Sequence, residues 1–269
     1  MDIESVLKRI KNEYELAIKS ASFNGKPRGD GRAAKEALIR SQRLIKYLHE
    51  FVKSEFIKIG VDPGKIVPKL NSNESEVSIE GYFKPKRQDI CIVTNRSDIK
   101  QESLTEKFVT VNVRSQLSSL GKNIDTLHER TFAEALNLHL KYPKLCLGEV
   151  YMIPTYEYDD RAMQESKVKN RVRFRVVNSI EHYIRIFQAI NCRLEPDGDE
   201  YKYERVCLLI VDFRAKQPKL YSDIKELISD NLVPSRTDVN MKGLTLNGFA
   251  EDLIKIYGNR FNKKNLLKT

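Results

Sequence analysis

Asp89 enters a short apolar run, Ile90-Cys91-Ile92-Val93, directly after the segment Lys84-Pro85-Lys86-Arg87-Gln88. Twenty-three positions later, Asn112 and Arg114 stand two apart in the run Phe108-Val-Thr-Val-Asn-Val-Arg114. If both runs are strands, side chains at i and i+2 leave the same face. Thr110, Asn112 and Arg114 then share one face, and Val109, Val111 and Val113 turn the other toward a core. A carboxylate on one strand beside two polar groups on the next is an economical frame for phosphodiester hydrolysis. That reaction needs a metal on the scissile phosphate, an attacking water and a cation to steady the charge. Asparagine can ligate a metal through its carbonyl oxygen. Arginine can hold a phosphate but stays protonated and cannot act as a base. Polar groups on a strand of valines call for a partner or ligand; the competing reading is a half-exposed sheet whose polar face meets water.

Other residues offer less. Glu149 lies in an apolar run, Gly148-Glu-Val-Tyr-Met-Ile-Pro154, where its charge needs either a metal or an arginine. Glu157, Asp159 and Asp160 read as a solvated acidic turn. The histidines, His49, His128, His139 and His182, are scattered over helical segments. No GxSxG elbow is present, which disfavours acyl chemistry. The glycine-rich loop Asn24–Arg32 lacks the GxxxxGK[ST] spacing of a phosphate loop, so no nucleotide cofactor is expected.

The elements that must position these residues follow from periodicity. Residues 2–20 read as an amphipathic helix, with Ile3, Val6, Leu7, Ile10, Tyr14 and Ala17 near one face, and 33–58 as a second helix. After the polar turn at 71–75 the pattern changes to strands. Val77, Ile79, Tyr82 and Phe83 suggest one, 90–93 a second and 108–114 a third. A helix over 124–141 follows, with a stripe of Ile124, Leu127, Phe132, Ala135, Leu136 and Leu138, and then a strand over 145–153. Further on, 179–191 reads as helix, 203–213 as a buried strand, and 221–231 and 246–257 as helices. The order predicts a mixed α+β fold, an N-terminal helical region over 1–70 and a core over 71–269, with both in one domain as the alternative.

Composition bounds the function. The chain of 269 residues is 41% hydrophobic and 31% charged, which suits a folded protein rather than a disordered one. Its net charge of +10 favours a polyanionic partner, with plain solubility as the bland account. No apolar run is long enough to span a bilayer, so no membrane role is expected. The four cysteines, Cys91, Cys146, Cys192 and Cys207, form no CxxC pair and read as buried free thiols in a reducing cytoplasm. Lys167, Lys169, Arg171, Arg173 and Arg175 alternate with Val168, Val172 and Phe174. As a strand they would all face one way, either to line a DNA groove or to form the charged outer face of an edge strand.

The run from Asn112 through Ser115-Gln116-Leu117-Ser118-Ser119 and Lys122 to Leu138 resembles a stretch of type II restriction endonucleases of the PD-(D/E)xK superfamily. There an ExK strand leads into SQ, a small-residue loop and a helix carrying glutamate. The segment Gly81-Tyr-Phe-Lys-Pro-Lys-Arg-Gln-Asp89 is similar to the one that places their first metal-binding aspartate. The resemblance covers roughly residues 77–155. It implies a central mixed sheet flanked by helices, Mg²⁺ dependence with Mn²⁺ as substitute, double-stranded DNA as substrate and a homodimer. This chain departs from the pattern: Asn112 stands for the glutamate and Arg114 for the lysine. Some members move the lost carboxylate to the following helix, which implies Glu129 or Glu134, with Glu129 preferred. Glu80 and Asn112 are further candidate ligands, Arg114 or Lys122 the candidate cation, and Gln116 the group that positions water or phosphate. Lys86, Arg87, Ser118, Ser119 and the basic run 167–175 are the implied DNA contacts. A DNA-binding protein or partner subunit with degenerate catalytic residues is the alternative.

Overall fold

The computed structural model describes residues 2–72, 74, 76–95, 108–159 and 172–268. Seven α-helices are present among them: α1 (Ile3–Ser20), α2 (Gly31–Arg40), α3 (Arg43–Lys58), α4 (Leu120–His139), α5 (Ile180–Ala189), α6 (Ile224–Ser229) and α7 (Phe249–Arg260). A six-stranded sheet forms the centre. It contains β3 (Ile66–Val67), β6 (Ile90–Val93), β7 (Phe108–Ser115), β8 (Cys146–Pro154), β11 (Arg205–Asp212) and β12 (Lys219–Tyr221), in the order β12-β11-β8-β7-β6-β3. β7, β8 and β11 run parallel; β3, β6 and β12 pair antiparallel. Small hairpins complete the strands: β1 (Ser22–Phe23) with β2 (Lys26–Pro27), β4 (Val77–Ile79) with β5 (Lys86–Gln88), and β9 (Tyr156–Tyr158) with β10 (Phe174–Val176). The mixed α+β architecture expected from the sequence is what the chain forms.

Each face of the sheet carries its own apolar layer. Val109, Val111 and Val113 of β7 join Val150 and Met152 of β8, and Leu209 and Val211 of β11, against α1, α2, α3 and α7. Leu147, Tyr151 and Ile153 of β8, with Leu208 and Ile210 of β11, pack on the other face against α4 and α5. The period-two alternation of these strands therefore feeds two cores. The N-terminal helices are one wall of the first core, sharing it with strands from beyond residue 70. α7 comes close enough that a Cβ on Gly148 would lie 2.8 Å from Leu253 Cδ1, so any larger residue there would make Leu253 shift.

Several local expectations are corrected. The helix read over 33–58 is two helices, broken at Ser41–Gln42, where Gln42 takes a left-handed φ of 59°. Tyr82 and Phe83 belong to the β4–β5 turn instead of a strand, and both are exposed. Phe132 is 38% exposed and stacks on Tyr201 instead of joining the core. Cys192 is exposed; the other three cysteines are buried, and all four are free thiols. Glu157 is no solvated turn residue: it lies buried in β9, pairs with Arg175 at 2.6 Å and accepts the Leu120 N–H at 2.6 Å. Asp160 lies outside the described residues.

Candidate functional site

β7 pairs with β6 only as far as Val111↔Ile90. Beyond that point the Asp89 side chain replaces the missing ladder partner: its Oδ2 accepts the Val113 N–H at 2.8 Å. Asp89 is thereby fixed at the carboxyl end of β7, where ligands of open α/β sheets collect. An open cavity of about 640 Å³ lies there. Its walls come from α3 on one side of the sheet and α4 on the other, with Arg114 to Leu117 between them.

The polar face of β7 is buried rather than wet: Thr110 and Asn112 are 0% and 1% exposed. Asn112 is partnered directly by Glu134 of α4, and Thr110 reaches it through Gln88. Glu134 Oε1 accepts from Asn112 Nδ2 at 2.7 Å and Gln88 Nε2 at 2.8 Å, and Oε2 accepts from Arg114 at 2.6 Å with Lys86 Nζ at 3.6 Å. Thr110 donates to Gln88 Oε1 at 2.9 Å, which orients that amide. The other half of the Arg114 fork donates to both oxygens of Glu149, at 3.2 and 3.3 Å. One guanidinium thus serves two buried carboxylates.

The two carboxylates differ in charge for that reason. Burial works against the Glu134 anion, but Arg114, Lys86 and the Gln88 amide outweigh it and hold Glu134 below the usual carboxylate range. Glu149, with no exposed surface and only a share of Arg114, is pushed by burial up to about 8. Arg114 stays charged throughout: burial opposes its charge, but Glu149 and Glu134 more than compensate. Burial also pushes Asp89 up to about 7, against the Val113 N–H and Arg114. His49 of α3 places Nε2 3.5 Å from Asp89 Oδ1 without a hydrogen bond, and burial lowers it to about 4, so its imidazole is neutral.

Asp89, Arg114, Asn112, Gln116, Lys86 and Arg87, all candidates from the sequence, line this cavity. Gln116 accepts from Tyr151 at 3.2 Å and donates to the Ser118 carbonyl at 2.7 Å. Glu129, the preferred helix carboxylate, is exposed and does not line the cavity; Glu134 takes that place. α4 starts at Leu120 rather than 124, and residues five apart on a helix point about 140° away from each other. Glu80 and Lys122 are also exposed and outside the cavity. Ser118 is half-buried, Ser119 is exposed at the start of α4, and neither lines it. Arg173 and Arg175 are exposed. Lys167, Lys169 and Arg171 lie outside the described residues. His49 and Gln88 were not singled out from the sequence, because each acts through partners more than twenty positions away. Glu134 did carry a signal: it stands seven residues after Leu127, on the inward stripe.

The carboxylates differ in what they could give a metal. Glu134 is saturated by its donors and Glu149 is taken by Arg114. Asp89 Oδ1 makes no hydrogen bond among the described residues, and no three His, Cys, Asp or Glu side chains among them converge as a metal cage. Mg²⁺ often binds through one or two carboxylates, with water and substrate phosphate completing its shell. The donor set fits a Mg²⁺ shared with a phosphate at Asp89; it does not fit an all-protein cage. Asn112, expected as a ligand, instead points its amide at Glu134.

Comparison with family models, with curated proteins and with solved structures finds no match to this chain. No described helix is long and apolar enough to cross a membrane.

Proposed function

We propose that this chain is a Mg²⁺-dependent endonuclease that hydrolyses double-stranded DNA at a short sequence, of the type II restriction kind. One observation carries the reading: Asp89, Arg114, Gln116, Lys86 and Arg87 meet at one open cavity. Asp89 would hold Mg²⁺, which supplies Lewis-acid stabilisation of the phosphate and a more acidic water. Arg114, kept charged and aimed by Glu134 and Glu149, faces the phosphate charge that grows in the transition state. Gln116, anchored by Tyr151, orients the water or a phosphate oxygen. Lys86 and Arg87 at the rim bind flanking phosphates. A palindromic site presents two equivalent strands, so the active form is a homodimer. Free thiols suit the reducing cytoplasm.

The test is digestion of plasmid DNA with Mg²⁺ or Mn²⁺. Discrete fragments are expected, and Asp89→Ala lowers cleavage by on the order of 1,000-fold, as for loss of one preorganised charge-handling group. Duplex binding survives in that variant. Undiminished cleavage by Asp89→Ala would refute the assignment. The Arg114 clamp on two carboxylates favours a second reading, a DNA-binding protein or partner subunit that does not cut. A parent protein that shifts the duplex but leaves it intact would decide for that one.

A further inference from the structure

The turn between β4 and β5 holds its backbone rigidly and its two aromatic side chains in the open. Asn137 of α4, 4% exposed, does the holding. Its carbonyl accepts the Tyr82 N–H at 2.9 Å, its Oδ1 accepts the N–H groups of Phe83 at 2.7 Å and Lys84 at 3.3 Å, and its Nδ2 donates to the Lys84 carbonyl at 3.0 Å. The chain approaches so closely that a Cβ on Gly81 would lie 2.0 Å from Asn137 Nδ2. Yet Tyr82 and Phe83 are 62% and 74% exposed, set edge to face with centroids 4.9 Å apart. Aromatic rings of this size contribute most when covered, and two adjacent exposed rings on a held backbone offer a surface that a partner can cover.

Charge selects the partner. Lys84 follows the two rings in the turn, and Lys86 and Arg87 open β5; Lys86 lies 3.6 Å from Glu134 and the exposed Arg87 3.4 Å from Glu76, and both line the cavity that holds Asp89. The turn that carries the rings thus leads directly into two residues of the proposed phosphate track. A partner with flat apolar faces and a dense negative backbone satisfies both features. We propose that Tyr82 and Phe83 form a base-contacting wedge, with Phe83 stacking on a base of the DNA whose backbone runs along Lys86 and Arg87 into the cavity. Aromatic and apolar side chains inserted at a base step unstack and kink a duplex, which would bring the scissile phosphate toward Asp89. This inference rests on the nucleic-acid reading of the cavity.

The chain contains no tryptophan, so Phe83→Trp introduces a single reporter at the wedge. It is titrated with mixed-sequence duplex DNA in EDTA, alongside Tyr82→Ala/Phe83→Ala in the same binding assay. The tryptophan emission should be quenched as the duplex binds. The double variant should bind on the order of 5–100-fold more weakly, the range for losing a base stacked on an aromatic ring. Its salt dependence should match the parent's, because no phosphate contact is lost. Both side chains are exposed, so the variants should keep the parent's thermal transition. Unquenched emission with unchanged affinity, while the parent binds DNA, overturns the wedge and leaves the cavity reading standing. Altered sedimentation of the double variant with unchanged DNA affinity also overturns it, and reassigns the rings to a contact between copies. A parent that binds no duplex removes both readings.

Discussion

Asp89 is a carboxylate that water barely reaches, with the Val113 N–H as its hydrogen-bond donor. Burial raises its folded value from an ordinary 3.8 to about 7. Between those values the folded state binds the proton more tightly than the unfolded chain does, so stability falls as pH rises through that window. Above pH 7 the full cost of the charge is present. Asp89→Asn keeps a carbonyl for Val113, gains an amide that can donate to His49 Nε2, and removes the charge. In EDTA at pH 8 this variant should be more stable than the parent by up to about 4 kcal/mol, at 1.4 kcal/mol per tenfold change in proton affinity. Near pH 4 the two should converge. Denaturant titrations at both pH values test this; equal stability at pH 8 would mean that Asp89 is solvated. At this scale the strand residues were legible. Period-two spacing placed Thr110, Asn112 and Arg114 together, and the valines in the core, because strand parity needs only local sequence. The partner that Asn112 and Arg114 share, Glu134, was read only as one of two glutamates on the following helix, with Glu129 preferred, since the choice depends on where α4 begins.

That starting point is set from outside the helix. Ser119, at the N-cap, has a left-handed φ of 58° and makes no side-chain cap. Glu157 of β9 supplies the acceptor for the Leu120 N–H instead, while Arg175 of β10 holds its second oxygen. A carboxylate there also meets the positive end of the helix dipole. Glu157→Ala should cost about 1–2 kcal/mol, as for a lost N-cap. That corresponds to a melting temperature lower by about 2–8 °C in a chain of this size. Calorimetry measures it; an unchanged transition would mean that water caps α4 equally well. Contacts of this kind explain what the sequence left open. The central strands and α4 to α7 show in local periodicity, and their ranges agree with the expectation to within a few residues. The cap from 37 positions away, the break at Gln42 and the Asn137 clamp on the β4–β5 turn are long-range or backbone effects with no local pattern.

At the level of the whole molecule, a chain of 269 residues is long enough to divide into separately folding parts. The sheet argues against that. β11 sends Val206, Leu208 and Ile210 to one core and Cys207, Leu209 and Val211 to the other, so neither helical layer can leave without stripping one of its faces. Glu204, 1% exposed, ties α4, α7 and β8 together. It accepts from the Leu147 N–H, from Arg193 and from Arg260, at 2.7, 3.0 and 2.7 Å, with His139 of α4 at 3.3 Å. The cavity has the same dependence, since His49 comes from one layer and Glu134 from the other. Leu48→Ala in α3 and Ile184→Ala in α5 empty opposite cores, and each should cost about 2–5 kcal/mol, the usual range for buried truncations. Both should shift one shared urea transition, with far-UV circular dichroism and tyrosine fluorescence coinciding. A first transition moved only by Leu48→Ala would show that α1 to α3 unfold apart from the sheet. In the single-transition case, any DNA binding or cleavage at the cavity must be lost together with the fold as urea rises, whichever of the two layers is weakened.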